Sequence, residues 1–500
     1  MTERLVVVGN NDKKSGNNNN EKDFVKEITS QEEDFSQWYL DIVLKTEMMD
    51  YAPIKGCMAI RPYGYAIWEN IQRLLDKRIK DTGHQNAYFP LFIPESLLQK
   101  EADHVEGFAP EVALVTQGGG EKLAEKLVVR PTSEAIICEM YSRWVQSWRD
   151  LPLLINQWCN VVRWEKNTRP FLRTSEFLWQ EGHTVHSTEE EAQEETLKML
   201  GVYKDLVENE LAVPVITGLK TEKEKFAGAL RTYTIEALMA DGKALQSGTS
   251  HNLGQHFAKV FDIKFQDKDD ELKYAWGTSW GVSTRLIGAV IMAHGDNRGL
   301  KLPPNIAPIQ VVIVPIISKK KKDEVLQKAQ ELFTQLKDMG LRVKLDDREE
   351  YSPGWKFNQW EMKGVPLRLE LGPRDLENSG VTAVRRDIVG EKAFLADNEI
   401  AEKLPILLQE IQDALFQNAL KFQQQRTYRP ANYDEFQRIL LEERGFLKAH
   451  WSGDPRCEEE VKAETKATIR CIPFERDPAD RGPCIYCGKE GELVYFARAY

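Results

Sequence analysis

Residues 153–182 read LLINQWCNVVRWEKNTRPFLRTSEFLWQEG. Two apolar and aromatic runs, 153–164 and 175–182, flank a polar loop at 165–174, the pattern of a β-hairpin. Arg163 and Glu165 close the first run, and Arg173, Thr174, Glu176 and Phe177 cluster where the second opens. A guanidinium is a planar fork that matches phosphate oxygens two at a time, and an aromatic face can take a nucleobase. The same residues also suit a hairpin whose charges are merely solvated.

Working outward from the hairpin, Arg61-Pro62 followed by Ile67, Ile71, Leu74, Leu75 and Ile79 predicts an amphipathic helix ended by Gly83. An extended, proline-punctuated stretch at 87–94 comes next. Pro131 opens a second helix carrying Ile136, Met140 and Trp144. Strands and helices come in runs here, without strict β-α-β alternation. The block at 23–304 is therefore predicted to be α+β, an antiparallel sheet with helices. After Leu302-Pro303-Pro304-Asn305 the pattern changes. A buried-strand run at 310–317, a helical stripe from Val325 to Leu336, an alternating strand at 341–345, a short helix near 355–363 and a strand at 367–371 follow. That order predicts a small α/β domain with a largely parallel sheet over 305–406. The lysines at 319–322 read as a solvated helix start. Leu407, Leu408, Ile411, Leu415 and Leu420 suggest a helix opening a third, small α+β block at 407–500. Residues 1–22, with NNDKKSGNNNN, lack apolar periodicity and are expected to be a disordered tail.

Composition narrows the function. The 500 residues are 42% hydrophobic and carry a net charge of −11, which argues against a strongly non-specific nucleic-acid binder but leaves room for a local basic patch. No apolar run approaches the ~20 residues that span a bilayer, and Leu5 to Val8 is too short for a signal-peptide core. A soluble, cytoplasmic protein without a membrane partner is expected. Of seven cysteines, four (Cys457, Cys471, Cys484 and Cys487) fall near the C-terminus. Cys-x-x-Cys at Cys484 and Cys487 is a zinc half-knuckle. The four are either buried apolar side chains or a structural zinc site closed by four thiolates, and the zinc site is the expectation.

Three further stretches bear chemistry. Arg285 precedes an apolar run at 286–293, so it must be paired or functional. Thr132 and Glu134, after Arg130-Pro131, either cap a helix or hold an ammonium group. Gln246-Ser247-Gly248-Thr249-Ser250-His251 is small and polar enough to bring backbone and hydroxyl groups close to a ligand. At these spacings the chain resembles the class II aminoacyl-tRNA synthetases. Pro90 matches the dimer-interface proline of their first motif, 163–177 the second, and 281–285 with the following helix the third. No Walker A loop or class I phosphate signature is present. The words RPTSE at 130–134, RTSEFLWQEGHT at 173–184, GTSHNLGQHFAK at 248–259, WGVSTR at 280–285 and SPGWKF at 352–357 resemble the prolyl-tRNA synthetases in their archaeal and eukaryote-like form, from about residue 30 to Tyr500.

The resemblance implies a proline–tRNA ligase that uses L-proline, ATP with Mg2+ and tRNA(Pro), and forms a homodimer. It implies a class II core, an α/β anticodon-binding domain and a zinc-binding C-terminal domain. Arg163 would bridge the proline carboxylate and the α-phosphate. Glu165 would meet adenosine or magnesium. Arg173 and Arg285 would hold the outer phosphates, and Phe177 would stack on adenine. Thr174, Gln246, Thr249 and Ser283 would complete the ATP site. Thr132 and Glu134 would take the proline ammonium, Trp179 and His251 would wall its ring, and Glu176 would support the loop. Tyr500 matches an aromatic chain end packed near the active site. Lys356, Arg368 and Arg374 are candidate anticodon contacts. Only 63 residues separate Gly182 from Gln246, leaving no room for the large hydrolytic insertion of the bacterial-type enzyme. A pocket for proline discriminates weakly against a smaller side chain, so activation of alanine, and of cysteine, is also expected. A threonine, histidine or glycine synthetase fits the Thr132, Glu134 and His251 set less well. A non-catalytic RNA-binding paralogue would be expected to lose Arg163 or Arg285.

Overall fold

The computed structural model describes residues 28–102 and 111–500. The tail expected at 1–22 lies outside the described residues. The first block is built on seven strands: β1 (Gln85–Asn86), β2 (Leu153–Val162), β3 (Glu176–His186), β4 (Val215–Leu219), β5 (Arg231–Leu238), β6 (Ala244–Gly254) and β7 (Trp276–Ser283). Their order is β4-β5-β6-β7-β3-β2-β1. Every pairing is antiparallel except that of β1 with β2. The hairpin forms as its sequence indicates: β2 and β3 pair from Leu153↔Val185 to Val162↔Glu176.

Helices Pro62–Asp81, Glu189–Asp205 and Arg285–His294 pack on one face of this sheet around a core that includes Trp38, Ile71, Leu75, Tyr203 and Ile287. The Trp280 ring lies flat over Gly182, where a Cβ would come within 2.1 Å of it, so only glycine fits there. Helices Glu134–Trp144 and His256–Phe261 build a second core with Phe89, Ile155 and Phe265. Between Gly182 and Gln246 the chain runs through the helix Glu189–Asp205, which packs on the sheet, and through β4 and β5, which belong to it. Among the described residues no helix is long and apolar enough to cross a membrane.

The second block holds β8 (Val311–Pro315), β9 (Val343–Leu345), β10 (Leu367–Leu371), β11 (Gly380–Arg385) and β12 (Lys392–Ala396). Their order is β9-β8-β10-β11-β12. β8 is parallel to β9 and β10, but β11 and β12 are antiparallel. The sheet is thus mixed, where a largely parallel one was expected. β11 and β12 are joined by a short hairpin that needs no crossover helix; β11 is largely buried, and only β12 is mostly exposed. Helix Ile400–Gln425 runs through the boundary expected at 406/407. Ile400, Leu404, Leu408, Ile411 and Leu415 all join the α/β core, so its apolar stripe continues past that point.

The last block adds β13 (Thr427–Tyr428), β14 (Phe446–Trp451), β15 (Ala467–Pro473), β16 (Arg481–Pro483) and β17 (Glu490–Arg498). β15 pairs with β4 of the first block through Ile472↔Leu219 and Pro473↔Gly218, so the two sheets form one continuous sheet of twelve strands. A Cβ on Gly218 would lie 2.4 Å from the Ile472 carbonyl oxygen, so the absence of a side chain there permits the join.

Candidate active site

The large sheet carries a cavity of about 280 Å3 on one face. Residues two apart share one face of a strand, and the register aligns three strands. Trp179, Glu181 and His183 of β3 stand opposite Ser283, Gly281 and Ser279 of β7. Gly281 and Ser279 in turn stand opposite Thr249 and His251 of β6. All of these line the cavity, together with Gln246. Thr132 and Glu134 enter at the start of helix Glu134–Trp144, and Arg285 at the start of helix Arg285–His294. A second cavity of about 590 Å3 shares Arg163, Phe177, Ser283 and Arg285 with the first and adds Glu165, Arg173, Thr174 and Tyr500. The residues nominated from the sequence for the amino acid and the nucleotide are therefore brought together around two adjoining cavities.

Arg163 Nε donates to the Pro131 carbonyl at 3.0 Å, and its guanidinium lies 5.5 and 5.7 Å from the ring centres of Phe177 and Trp179. Arg285 donates to the carbonyls of Leu172 and Gln246 at 3.3 and 3.4 Å. Carbonyls hold both forks without cancelling their charge. Burial, and next the like charge of Arg163, lowers the pKa of Arg285. Two cations that repel each other across a cavity edge favour an anion between them. Arg173, more exposed, pairs with Glu165 at 2.7 Å. The Thr174 hydroxyl donates to the Glu176 carbonyl at 2.6 Å, which fixes the turn into β3.

Thr132 and Glu134 are buried, and the Thr132 hydroxyl donates to the Glu134 carboxylate. The helix start at Ser133 has no side-chain cap, so these two residues face the cavity and do not serve as caps. Behind them Glu181 accepts from the Ser133 hydroxyl, from Gln157 at 2.9 Å and from His183 Nε2 at 2.9 Å. Burial opposes both charges, but the hydrogen bond and attraction between Glu181 and His183 outweigh it. The Glu181 pKa is lowered and that of His183 raised. The opposite holds for His251: burial, then the charge of His183, hold its pKa near 3, so the ring is neutral. Its ring lies 4.8 Å from that of Phe226, tilted by 34°, and meets the Thr232 hydroxyl at 3.0 Å. A neutral imidazole and a phenyl ring make an apolar wall. Glu181, His183, Thr232 and Phe226 were not nominated from the sequence. The alternation Phe177, Trp179, Glu181, His183 along one strand face was the signal for the first two. Phe226 lies on a loop with no pattern of its own.

The C-terminal chain end forms part of the second cavity. The Tyr500 amide donates to the Ala244 carbonyl at 3.2 Å, and Arg169 and Lys243 lie over its ring at 5.4 and 4.8 Å. In the α/β block Lys356 turns inward. It is buried and donates to the Asp346 carbonyl at 3.1 Å, which removes it as a surface contact. Arg368 lies 4.4 Å over Phe357 and pairs with Glu370.

The cysteines correct one expectation. The sulfurs of Cys457, Cys484 and Cys487 lie within 4.8 Å of one another, close enough to share one tetrahedral ion. The hydrogen bond between Cys487 and Ser452 leads the effects that draw the Cys487 pKa down to about 7, whereas burial pushes Cys457 up to about 12. Three soft sulfur donors fit zinc. Cys471 does not join them. It sits on β15 in a separate apolar cluster with Leu238, Phe446 and Tyr495, and its sulfur would lie 2.9 Å from a Cβ on Gly218. Ala467 and Ile469 of the same strand pack with Cys457 and Cys484, but the pairing of β15 with β17 is irregular between Ile469 and Cys471, and Cys471 falls in the other cluster, at the junction with β4.

A mostly antiparallel sheet whose face gathers arginines from a hairpin and from a helix start defines a class II aminoacyl-tRNA synthetase core. Residues 117–294 match the family described as tRNA synthetase class II core domain (G, H, P, S and T). Residues 310–405 match the anticodon binding domain, and 433–500 match the prolyl-tRNA synthetase C-terminal family. The chain is 65% identical to the proline–tRNA ligase of Natranaerobius thermophilus, over 96% of this chain and 99% of that one. It is 62% identical to that of Alkaliphilus oremlandii, with the same coverage. It is 58% identical to proline–tRNA ligase 2 of Bacillus cereus, over 96% of this chain and all of that one. The chain belongs to the proline–tRNA ligase family of class II aminoacyl-tRNA synthetases.

Proposed function

We propose that this protein activates L-proline with ATP, releasing pyrophosphate, and transfers the prolyl group from prolyl-adenylate to the 3′ end of tRNA(Pro). The observation that carries this reading is the continuity of the two cavities. Thr132, Glu134 and an apolar wall stand in one, Glu165 and Arg173 in the other, and Arg163 and Arg285 belong to both. The proline carboxylate is ionised at neutral pH, so it attacks the α-phosphate without a general base. The work left to the protein is positioning and charge stabilisation.

Arg163 would bring the carboxylate and the α-phosphate together and hold charge as it builds on the phosphate. Arg173 and Arg285 would hold the outer phosphates that leave as pyrophosphate. Phe177 would stack on adenine, and Thr174, Gln246, Thr249 and Ser283 would line the nucleotide site. Glu134, with Thr132, would pair with the secondary ammonium, and Trp179 with neutral His251 would wall the ring. Glu165 and Gln246 offer the oxygen donors that suit Mg2+, which would screen the phosphate charge when bound with ATP. Cys457, Cys484 and Cys487 would hold a structural zinc ion fixing helix Pro455–Thr465 to the 484–487 turn. The α/β block would read the anticodon with stacking and cationic groups. Arg348 over the stacked Tyr351 and Trp355 is better suited to this than Lys356. Exposed Tyr88 and Phe92, flanking Pro90, support a homodimer through that segment. A cytoplasmic setting, a core ending at about 304, and weak activation of alanine or cysteine complete the proposal. The test is charging of a tRNA(Pro) transcript with labelled proline. Prolyl-tRNA that depends on ATP is expected; none from folded protein with magnesium would overturn it.

A further inference from the structure

The amino-acid end of the cavity is lined by a loop that lies outside the strands of the sheet. Glu224, Lys225 and Phe226 line the cavity, and the Phe226 ring packs at a tilt against His251. Residues 221–230 form turns between β4 and β5, and their own backbone bonds include those from the amides of Glu224 and Lys225 back to the Thr221 carbonyl. From the sheet, Thr232 of β5 accepts from the Phe226 amide at 2.9 Å and Asn252 of β6 from the Leu230 amide at 2.8 Å, and the 221–224 end of the loop is also held from the C-terminal block. The Thr221 hydroxyl donates to Glu458 Oε1 at 2.9 Å, with both residues buried. Lys223 pairs with Glu459 at 2.8 Å, and Lys462 reaches Glu224 at 3.4 Å. Glu458, Glu459 and Lys462 all stand on helix Pro455–Thr465. That helix leads directly into β15, whose edge-to-edge join to β4 brings the C-terminal block beside the strand that runs into the loop.

We infer that helix Pro455–Thr465 clamps the 221–226 loop over the amino-acid pocket, and that Glu458 is a positioning residue for amino-acid selection. A carboxylate buried with a single hydroxyl donor from the loop is costly to keep. Surface pairs alone, such as Lys223 with Glu459, would give little rigidity. With Thr221 held at one end and the Phe226 amide on the Thr232 hydroxyl at the other, the turn keeps Phe226 against His251 and closes the apolar wall around a small ring. Released, the wall loosens, and a small pocket loses what little power it has to reject a smaller side chain. The nucleotide end lies on other elements and keeps its geometry. The inference rests on the proposed proline activation.

The experiment is ATP–pyrophosphate exchange on full-length protein, comparing wild type with Glu458→Ala, Glu458→Gln and Thr221→Val. Glu458→Ala is expected to raise the KM for proline about tenfold and to lower the proline-over-alanine ratio of kcat/KM about fivefold, while the KM for ATP stays within about twofold. Glu458→Gln should restore most of both, because its amide oxygen still accepts from Thr221. Thr221→Val is nearly isosteric and removes only the donor, so it reports the same effect should Glu458→Ala fail to fold. Proline KM and selectivity unchanged in both variants would overturn the clamp. So would equal rises in the proline and ATP KM values, the mark of a merely structural role. Wild-type protein that exchanges with no amino acid would instead refute the underlying activity.

Discussion

Replacing Glu134 with alanine isolates the step in which the amino acid is recognised. Glu134 is 4% exposed, accepts from Thr132, and faces the cavity from the first turn of its helix. A proline ammonium bound there would lose its water, and Glu134 is the carboxylate proposed to replace it. Leaving one member of a buried charge pair alone costs about 2–5 kcal/mol. The cavity opens into its neighbour through Arg163 and Arg285, so water can partly return and the lower half of that range applies. A loss of about 3 kcal/mol is about two orders of magnitude in kcat/KM for proline. Arg285 and Arg173 are held by Leu172, Gln246 and Glu165, none of which Glu134 touches. The KM for ATP should therefore stay within about threefold. Glu134→Gln, which keeps the acceptor for Thr132 but not the charge, should fall between. The assay is pyrophosphate exchange with proline and ATP varied separately. A kcat/KM for proline within about fivefold of wild type in Glu134→Ala would refute the assignment of the ammonium site.

Three further outcomes are expected. Burial holds the pKa of His294 near 4, and Nε2 lies 2.9 Å from the Leu211 carbonyl. An unfolded histidine takes up its proton near 6.5, so the unfolded chain binds more protons below that value and stability drops as pH falls toward 4. His294→Gln should remove about 2 kcal/mol of the stability lost between pH 7 and pH 5, measured by denaturant unfolding; an unchanged pH dependence would contradict this. Metal analysis of purified protein should show zinc lost in Cys484→Ser and kept in Cys471→Ser; equal loss would return Cys471 to the site. Deleting Ala499 and Tyr500 removes a ring that Arg169 and Lys243 cover, and should lower pyrophosphate exchange about tenfold, as two cation–π contacts suggest. Full activity in the truncated protein would remove Tyr500 from the site.

Much of the large sheet was legible because its strands carry their own signals. The hairpin at 153–182 has strong apolar runs and a polar turn, and helix Pro62–Asp81 has a proline start and a glycine after its end. The site residues were legible where long words matched a family, as at 130–134 and 280–285. What escaped reading depends on packing between distant segments. Cys471 looked like a ligand by spacing, but an irregularity of β15 between Ile469 and Cys471, which no sequence period announces, puts it in a different cluster from Cys457 and Cys484. Lys356 looked like a surface cation, yet Asp346, ten residues away, draws it inside. Glu181 and His183 were hidden because a buried ion pair leaves no composition signal, only a two-residue period. The 221–230 loop has no periodicity, and its role depends on a helix more than 200 residues later.

Most direct is ATP–pyrophosphate exchange with purified full-length protein, magnesium and each of the twenty amino acids in turn. Strong exchange with proline, with much weaker alanine and cysteine signals, is the predicted result, because the apolar wall of His251, Phe226 and Trp179 and the carboxylate of Glu134 suit a small ring on a secondary ammonium. No exchange with proline from folded protein, or stronger exchange with another amino acid, would contradict it.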